Sequence, residues 1–100
     1  MIARIWKGKT KLEHAEAYTD FMKTRAVPDY ERTEGFVKLI FLRRTDKEHA
    51  YFELITFWKN LEVIRNFAGV PIEKAKYYPE DQQFLLEFPE TVTHLDVFAE

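Results

Sequence analysis

A histidine near the end of the sequence is the residue best suited to acid–base chemistry. His94 lies two positions before Asp96 in a strand-like stretch, so the two would share one face of a strand. The imidazole group of histidine titrates near neutral pH. A carboxylate with a pKa of about 4 is a poor base for a weak acid with a pKa of about 10, so His94 is the better proton acceptor. We predict that His94 is the general base of any reaction. The alternative is a structural hydrogen bond from His94 to Glu53 or Arg4, which is the commoner role of a single strand histidine.

The aromatic residues, 16% of the chain, are the candidates for a substrate pocket. Tyr77 and Tyr78 lie in a stretch without regular periodicity, and their hydroxyls need partners, so both are candidate pocket residues. If a reaction exists, we predict that Tyr77 orients its substrate. The other candidates for binding a flat substrate are Trp6, Tyr51, Trp58 and Phe67. Aromatic residues at strand and helix spacings more often form core, which is the interpretation we favour for the last two.

The residue counts exclude several kinds of enzyme. The sequence contains neither cysteine nor serine, which excludes a disulfide, a thiolate nucleophile and a seryl enzyme. Three scattered glycines cannot form a phosphate-binding loop or a dinucleotide fingerprint. The other histidines, His14 and His49, are far from His94 in sequence, and no paired carboxylates accompany them. We therefore predict no metal site.

Length, charge and hydropathy limit the partners. One hundred residues suit a single domain, residues 1–100, with a core of its own. A net charge of −2 gives no basic field that would attract nucleic acid or an anionic membrane surface. The opening MIARIW lacks the long apolar stretch of a signal peptide, and no apolar run is long enough to span a bilayer. We therefore expect a cytoplasmic protein.

Periodicity predicts the elements that must position these residues. Residues 2–7 alternate as a strand, and Thr10 and Glu13 have the spacing of a capping box at the start of an amphipathic helix. Pro28 is expected to kink or end that helix near Ala26, with one further turn through Tyr30. Residues 36–45 and 49–58, on either side of a polar turn, predict a β-hairpin.

The second half of the chain completes the pattern. Asn60 is expected to cap a short helix that ends at Gly69, before Pro71. Residues 71–88 are expected to be irregular with helical turns, and residues 91–99 to form the last strand. The order βαββαβ predicts an α+β, ferredoxin-like fold in which a four-stranded antiparallel sheet carries both helices on one face.

Strand parity predicts which side chains lie beneath the helices. The apolar set of alternate positions comprises Ala3, Ile5, Val37, Leu39, Phe41, Phe52, Leu54, Leu95 and Val97. The opposite, mixed set combines charges with large apolar side chains, including Ile40, Ile55, Phe57 and Phe98. Because this mixed face is too apolar for water, we predict that it closes against a second copy in a homodimer, with Arg4 or Lys38 paired to Glu53.

Three stretches resemble a known family along nearly the whole chain. They are MIARIWKGKT, FELITFWKNLEVIRNFAG and PIEKAKYYPEDQQFLLEFPETVTHLDV. The chain resembles the antibiotic biosynthesis monooxygenase family of dimeric α+β barrel proteins. The resemblance implies two protomers that join their sheets into a barrel, with a pocket between sheet and helices in each. Characterised members include cofactor-free oxygenases of polycyclic phenols, quinol oxygenases and haem-degrading enzymes.

The function implied by the resemblance is a cofactor-independent monooxygenase that acts on a small phenol or quinol. The alternatives are a noncatalytic protein that binds a small aromatic or acyl ligand, and a structural dimer. Haem degraders of the family carry a histidine about ten residues after an aromatic residue of the second helix, and an asparagine in the first strand. Counted from Phe67, the histidine position holds Tyr77, and no asparagine lies between Ile2 and Gly8. Haem degradation is therefore not expected, although a Tyr77 phenolate is a conceivable iron ligand.

Overall fold

The chain forms one antiparallel sheet of four strands, and the computed structural model describes residues 1–100. The strands are β1 (Ile2–Lys11), β2 (Phe36–Thr45), β3 (His49–Trp58) and β4 (Thr93–Asp96). Their order across the sheet is β2-β3-β1-β4, and each neighbouring pair is antiparallel. The predicted βαββαβ order and the four-stranded sheet are confirmed.

The hairpin of β2 and β3 has the bounds that the sequence predicted. A short polar turn closes it, in which Oδ1 of Asp46 accepts hydrogen bonds from the backbone N–H groups of Glu48 and His49, at 2.9 and 2.8 Å. An aspartate side chain that binds the backbone two and three residues later fixes such a turn locally. The hairpin was predictable because both its strands and its turn carry strong local signals.

The last strand, β4, is shorter than the predicted residues 91–99. At its start, Thr91 forms a bridge with Lys74, so the residues before β4 pair with the preceding irregular stretch. At its end, Asp96 pairs with Ile2, the first residue of β1. The residues that follow have no further strand residue to pair with, which limits the strand to four residues.

Helical turns run without a break from Leu12 to Glu31. They comprise a 3-10 turn (Leu12–His14), α1 (Ala15–Phe21), a π-helical turn (Met22–Ala26) and α2 (Val27–Glu31). The predicted capping box is wrong, because β1 continues past Thr10, whose Oγ1 donates to the carbonyl oxygen of Lys11 at 2.9 Å. The predicted interruption near Pro28 is a π-helical turn, after which proline occupies the first turn of α2, where its missing N–H is not needed.

The second helix, α3 (Leu61–Ala68), begins and ends as predicted. The side chain of Asn60 accepts a hydrogen bond from the backbone N–H of Val63 at 3.0 Å, and Gly69 follows with φ of 77°. After it, residues 71–88 are irregular apart from one 3-10 segment, Pro79–Gln83. None of these helices has the length and apolar character needed to cross a membrane.

All the helices pack on one side of the sheet, which we call the helix face. Tyr18 of α1 packs on Phe52, with ring centroids 5.0 Å apart, and Phe67 of α3 packs on Trp58 at 5.7 Å. Phe52 and Trp58 are an even number of residues apart in β3, so both lie on the same side of the sheet. The other side of the sheet, which we call the open face, carries no helix.

The predicted parity is right for most of the hairpin and wrong for β1 and β4. Trp6 pairs with Leu54, and Arg4 pairs with Thr56, so these side chains of β1 lie on the helix face, where Arg4 is only 2% exposed. Ala3 and Ile5 therefore face the open side. Alternation could not predict which side chains of β1 lie on the helix face, because large apolar residues occur at both sets of alternate positions. The buried arginine, Arg4, is also of a type that is usually found at the surface.

Both edges of the sheet also depart from the predicted parity, β4 by the same inversion and β2 by a local bulge. Leu95 pairs with Ala3 on the open face and is 49% exposed, while Val97 lies beyond β4. Val37 lies at a bulge in β2 and is exposed. Of the residues expected to be buried by a partner, Phe98 lies beyond β4 and is 97% exposed.

The predicted ion pairs of Glu53 are also wrong. Arg4 points to the helix face, so it cannot reach Glu53 on the open face. The partner of Glu53 is Lys7, with Nζ and Oε1 3.9 Å apart. The ammonium group of Lys38 lies over the ring of Phe57 instead, 5.0 Å from its centroid.

Candidate functional site

A groove of about 400 Å³ opens on the helix face, between the first helical segment and the hairpin. The residues that line the groove are Thr19, Met22, Lys23, Phe41, Leu42, Arg43, Phe52 and Leu54. Its volume falls within the range of small-molecule sites, which are usually apolar with a few placed polar groups. The strand parity that puts Phe41 and Leu54 beneath the helices also builds its apolar floor.

The rim of the groove is positively charged. Nη1 of Arg43 donates to Oγ1 of Thr19 at 2.8 Å and to Oε1 of Glu16 at 3.1 Å. The Glu16 side chain is 83% exposed, so this ion pair is a weak one in solvent. Lys23 makes no ion pair at all. An anionic ligand would therefore meet two cations with little competition.

A smaller inner cavity of about 10 Å³ lies deeper between the helices and the sheet. Its lining comprises Trp6, Met22, Ala26, Tyr30, Leu54, Lys76, Tyr78 and Asp81. Met22 and Leu54 line both the groove and the inner cavity, so they form the wall between the two. A space of this size holds at most one water molecule.

The inner cavity contains a buried hydrogen-bond donor without a partner. Nε1 of Trp6 is fully covered and makes no hydrogen bond, and the tryptophan itself is buried. Nearly every buried polar group in a native protein is satisfied by protein, water or ligand. Since Trp6 lines the inner cavity, the free N–H marks this side of the site as able to bind an oxygen atom.

A buried carboxylate is the second polar feature of the inner cavity. Asp81 is 1% exposed and accepts hydrogen bonds from the hydroxyl of Tyr18, at 2.8 Å, and from the backbone N–H of Tyr78, at 2.6 Å. Burial raises the pKa of Asp81 above its ordinary value, and these two hydrogen bonds only partly oppose the shift. Burial and the neighbouring Asp81 also raise the pKa of Tyr18, which keeps its proton. Asp81 is thus a stronger base than an exposed aspartate.

Tyr78 lines the inner cavity with its ring, while its hydroxyl is used elsewhere. The hydroxyl donates to Oδ2 of Asp29 at 2.7 Å, and Nζ of Lys76 binds the same oxygen at 2.9 Å. The guanidinium of Arg25 lies 4.5 Å from the ring centroid of Tyr78. These contacts tie the first helical segment to the irregular stretch and fix one wall of the cavity.

His94 lies on the helix face beside Arg4, outside the groove and the inner cavity. Its Nε2 is 2.9 Å from Nη1 of Arg4, which also binds the carbonyl oxygen of Ile72. Because a guanidinium only donates, Nε2 of His94 is the unprotonated acceptor. Burial and then the charge of Arg4 lower the pKa of His94. This geometry matches the structural alternative, while the proposed role as general base stays a prediction.

Tyr77 also lies away from the groove. Its hydroxyl donates to the carbonyl oxygen of Pro89, and its ring packs edge-on against Trp6 and Phe88, with centroids 6.0 and 5.2 Å apart. Burial, and to a lesser extent Asp81, raises the pKa of Tyr77. The structure therefore does not bring the hydroxyl of Tyr77 to His94 in one pocket, and its orienting role stays a prediction.

The remaining predicted pocket residues lie in three environments. Trp6 and Tyr78 line the inner cavity. Trp58 and Phe67 pack on each other in the buried core of the helix face, which is the role that the sequence analysis favoured for them. Tyr51 lies on the open face, where the guanidinium of Arg44 stacks on it at 3.9 Å from the ring centroid.

Sequence reasoning missed the groove residues and Asp81. Residue type alone predicts that Arg43 and Asp81 are solvated, since charged residues are usually exposed. A signal was present in β2, because the parity that buries Leu39 and Phe41 also puts Arg43 on the helix face. No local signal marks Asp81, whose burial depends on contact with α1.

Comparisons with known proteins identify the fold. No family model and no curated protein sequence matches the chain. Among solved structures, a proposed antibiotic biosynthesis monooxygenase from Bacillus cereus aligns with a TM-score of 0.65 and 12% identity, over 99% of this chain and 96% of that one. The haem degrader MhuD from Mycobacterium tuberculosis, with two haems bound in its active site, aligns with a TM-score of 0.62 and 16% identity, over 100% and 98%.

A mutant of MhuD with two manganese protoporphyrin IX molecules per active site gives a TM-score of 0.63 at 16% identity, over 100% of this chain and 97% of that one. At such identities the agreement concerns the fold. The alignments span nearly the full length of both partners. The chain therefore has the ferredoxin-like α+β fold shared by MhuD and the antibiotic biosynthesis monooxygenase-like protein.

Proposed function

We propose that this protein is a monooxygenase that binds a small phenol or quinol in the groove and oxidises it with O₂ without a cofactor. The observation that supports the proposal is that the groove and the inner cavity are adjacent. An apolar groove of ligand size lies one side-chain layer, Met22 and Leu54, from a cavity with a free N–H on Trp6 and a buried base. The monooxygenase-type and haem-degrading proteins that share the fold favour oxygen chemistry over other reactions.

The reaction requires little from the protein beyond binding, a base and a dry site. An ionised phenol is electron-rich enough to reduce O₂ itself. One oxygen atom enters the ring as a new carbonyl, and the other leaves as water with the two hydrogens lost by the substrate. A phenol plus O₂ thus gives a quinone plus water. Once the side chain of Met22 turns aside, the N–H of Trp6 would stabilise a phenolate oxygen that enters the inner cavity.

Two residues are the alternatives for the base. His94 is the sequence prediction, with Tyr77 as its orienting hydroxyl, although Arg4 binds its Nε2. Asp81 is the structural alternative, because it lines the inner cavity and burial raises its pKa. A substrate hydroxyl can reach Asp81 only if the flexible side chain of Met22 turns aside. The two assignments differ in which variant, His94→Ala or Asp81→Asn, stops turnover.

Haem, which MhuD binds, does not fit the residues of this site. Neither the groove nor the inner cavity is lined by histidine, and the hydroxyl of Tyr77 is bound to Pro89. The hydroxyl of Tyr30 lines the inner cavity and makes no hydrogen bond, but burial raises its pKa, so it keeps its proton and is a poor ligand for iron. The inner cavity of about 10 Å³ is far too small for a porphyrin. Haem therefore has no part in the proposed reaction.

The noncatalytic binding protein is the second candidate. The small size of the inner cavity favours it, since a ligand confined to the groove would not touch Trp6 or Asp81. In both candidates the ligand occupies the same groove. They differ in whether oxygen is consumed.

Oxygen uptake with a panel of phenols and hydroquinones tests the proposal. We expect uptake with quinone formation, unchanged by added chelator or flavin. Thr19→Trp should abolish it by filling the groove, whereas Thr24→Trp is a matched control. Both threonines lie in the same helical run and bond a carbonyl four residues earlier, but Thr24 is exposed outside the groove. Ligand binding without uptake would favour the noncatalytic candidate, and equal effects of the two variants would contradict the groove.

We also propose a homodimer that covers the open face. Large apolar side chains remain exposed there in one protomer, including Ile40 at 43% and Leu42 at 45%. A contiguous apolar sheet surface of this kind usually marks an interface. A second copy offers the same mixture of apolar side chains and charges, as an isologous interface requires.

A further inference from the structure

We infer that the groove selects ligands that carry a carboxylate on an aromatic ring. The inference deepens the proposed function and rests on it, because it concerns the ligand class of the same groove. It depends on the hydrogen bonds that Arg43 makes and on those that it leaves unmade.

Arg43 presents free donors at the groove. Both of its hydrogen bonds, to Thr19 and to Glu16, use the same nitrogen, Nη1. Nε and Nη2 make no hydrogen bond, so one edge of the guanidinium remains available. Two parallel N–H groups on such an edge match the two oxygens of a carboxylate.

The guanidinium is also held in place before a ligand arrives. Arg43 pairs with Phe52 in the sheet and points to the helix face, and its bond to Thr19 is 2.8 Å long. A donor fixed by the protein loses less side-chain freedom on binding than a free one. Arg43 is thus an exposed charge, with 38% of its side chain in solvent, whose position at the groove is fixed by Thr19.

Competition for this anchor is weak. The carboxylate of Glu16 is mostly in solvent and contacts only Nη1 of Arg43. Lys23, which also lines the groove, has neither an ion pair nor a hydrogen bond and can add a second positive charge. A ligand carboxylate therefore gains Arg43 and Lys23 without displacing a buried partner.

The rest of the groove fixes the other part of the ligand. Phe41, Phe52 and Leu54 supply the apolar lining of the groove. A flat ring can pack on this floor while its carboxylate reaches Arg43 at the rim. An aliphatic anion would leave the aromatic floor poorly filled, and a neutral ring would leave the cations without a partner.

Binding of a size-matched pair of compounds tests the inference. The pair is 4-hydroxy-1-naphthoate and its neutral carboxamide, measured by calorimetry with the full chain at low salt. We expect the carboxylate to bind about tenfold more tightly, the size of one partly solvated charged hydrogen bond. Arg43→Gln should remove most of this preference while the carboxamide binds as before. Glu16→Gln should leave the preference intact or increase it, because it removes the competing anion.

Arg65→Gln is the matched control. Arg65 forms an exposed pair with Glu62, at 2.6 Å, on α3 and outside the groove, so the preference should not change. Equal binding of both compounds, sensitive to Thr19→Trp, would overturn the carboxylate inference and leave the groove proposal standing. Binding of neither compound would count against the proposed function as well. A loss with Glu16→Gln equal to that with Arg43→Gln would also overturn the inference, since it would mean that the ion pair itself builds the site.

Discussion

Replacing His94 with alanine separates the two roles considered for this residue. In the structure its Nε2 accepts a hydrogen bond from Arg4, and that arginine is nearly fully buried. Two other N–H groups of Arg4 donate to the carbonyl oxygens of Ile72 and Lys74, at 2.6 and 3.0 Å. His94→Ala therefore leaves one N–H of a buried cation without its partner.

The expected loss of stability follows from the environment of that N–H. A hydrogen bond to a charged group contributes roughly 1.5–3 kcal/mol, and an unsatisfied buried donor costs about as much. His94 is only partly buried, so water can replace part of the interaction. We expect His94→Ala to lower the free energy of unfolding by about 1–2 kcal/mol.

The pH dependence gives an independent check with a definite sign. Burial and then Arg4 lower the pKa of His94 in the folded state, while Glu73 acts in the opposite direction. The unfolded state thus binds a proton at higher pH, near the ordinary histidine value of about 6.5. The stability contributed by neutral His94 is complete above about pH 6.5 and decreases as the pH falls below it. His94→Ala should remove this part of the pH dependence.

Urea unfolding of both proteins at pH 8, 6 and 5 measures the two effects together. The difference between wild type and variant should be largest at pH 8 and should shrink at pH 5. A difference under about 0.5 kcal/mol at pH 8, or one that grows in acid, would refute the Arg4–His94 argument. If His94 is instead the base, turnover of the folded variant should fall at least about a hundredfold with a groove substrate.

Two further substitutions test the buried network and the dimer. Tyr18→Phe should lower the free energy of unfolding in urea by about 1–3 kcal/mol, because it removes a hydrogen-bond donor from buried Asp81. The control Tyr51→Phe loses only an exposed hydroxyl contact and should lower it by under about 0.5 kcal/mol. Equal losses in the two variants would contradict the buried network. Light scattering at micromolar concentration should give twice the 12.0 kDa of one chain. Ile40→Lys on the open face should give a monomer. The control Leu61→Lys, at a similarly exposed position of α3, should stay dimeric. A wild-type monomer would contradict the proposed partner.

The parts of the fold that local signals determine were predictable from the sequence. The hairpin has the predicted bounds because alternation and the Asp46 turn agree, and α3 has them because Asn60 and Gly69 mark its ends. The start of α1 was not predictable. The spacing of Thr10 and Glu13 fits a capping box, yet pairing of β1 with β3 extends the strand through Lys11. Tertiary pairing overrides a local cap when the partner strand is long enough.

The candidate site was predictable only where it depends on β2 and β3. Their parity places Phe41 and Leu54 under the helices, and the same alternation brings Arg43 to the groove. Asp81 could not be found in this way. It lies in a short 3-10 segment, and it is buried in contact with α1, where the hydroxyl of Tyr18, 63 positions earlier in the chain, donates a hydrogen bond to it.

The parity of β1 decides what chemistry the interior can perform. In the predicted parity Ala3 and Ile5 would face the helices, and β1 would contribute neither a charge nor a tryptophan N–H to the interior. In the structure the neighbouring positions face inward, so Arg4 and Trp6 are the buried side chains. Arg4 binds His94 and backbone carbonyls, whereas Nε1 of Trp6 keeps no partner. A one-residue change of parity therefore replaces two apolar side chains of β1 in the interior by a satisfied cation and by an indole N–H that has no protein partner.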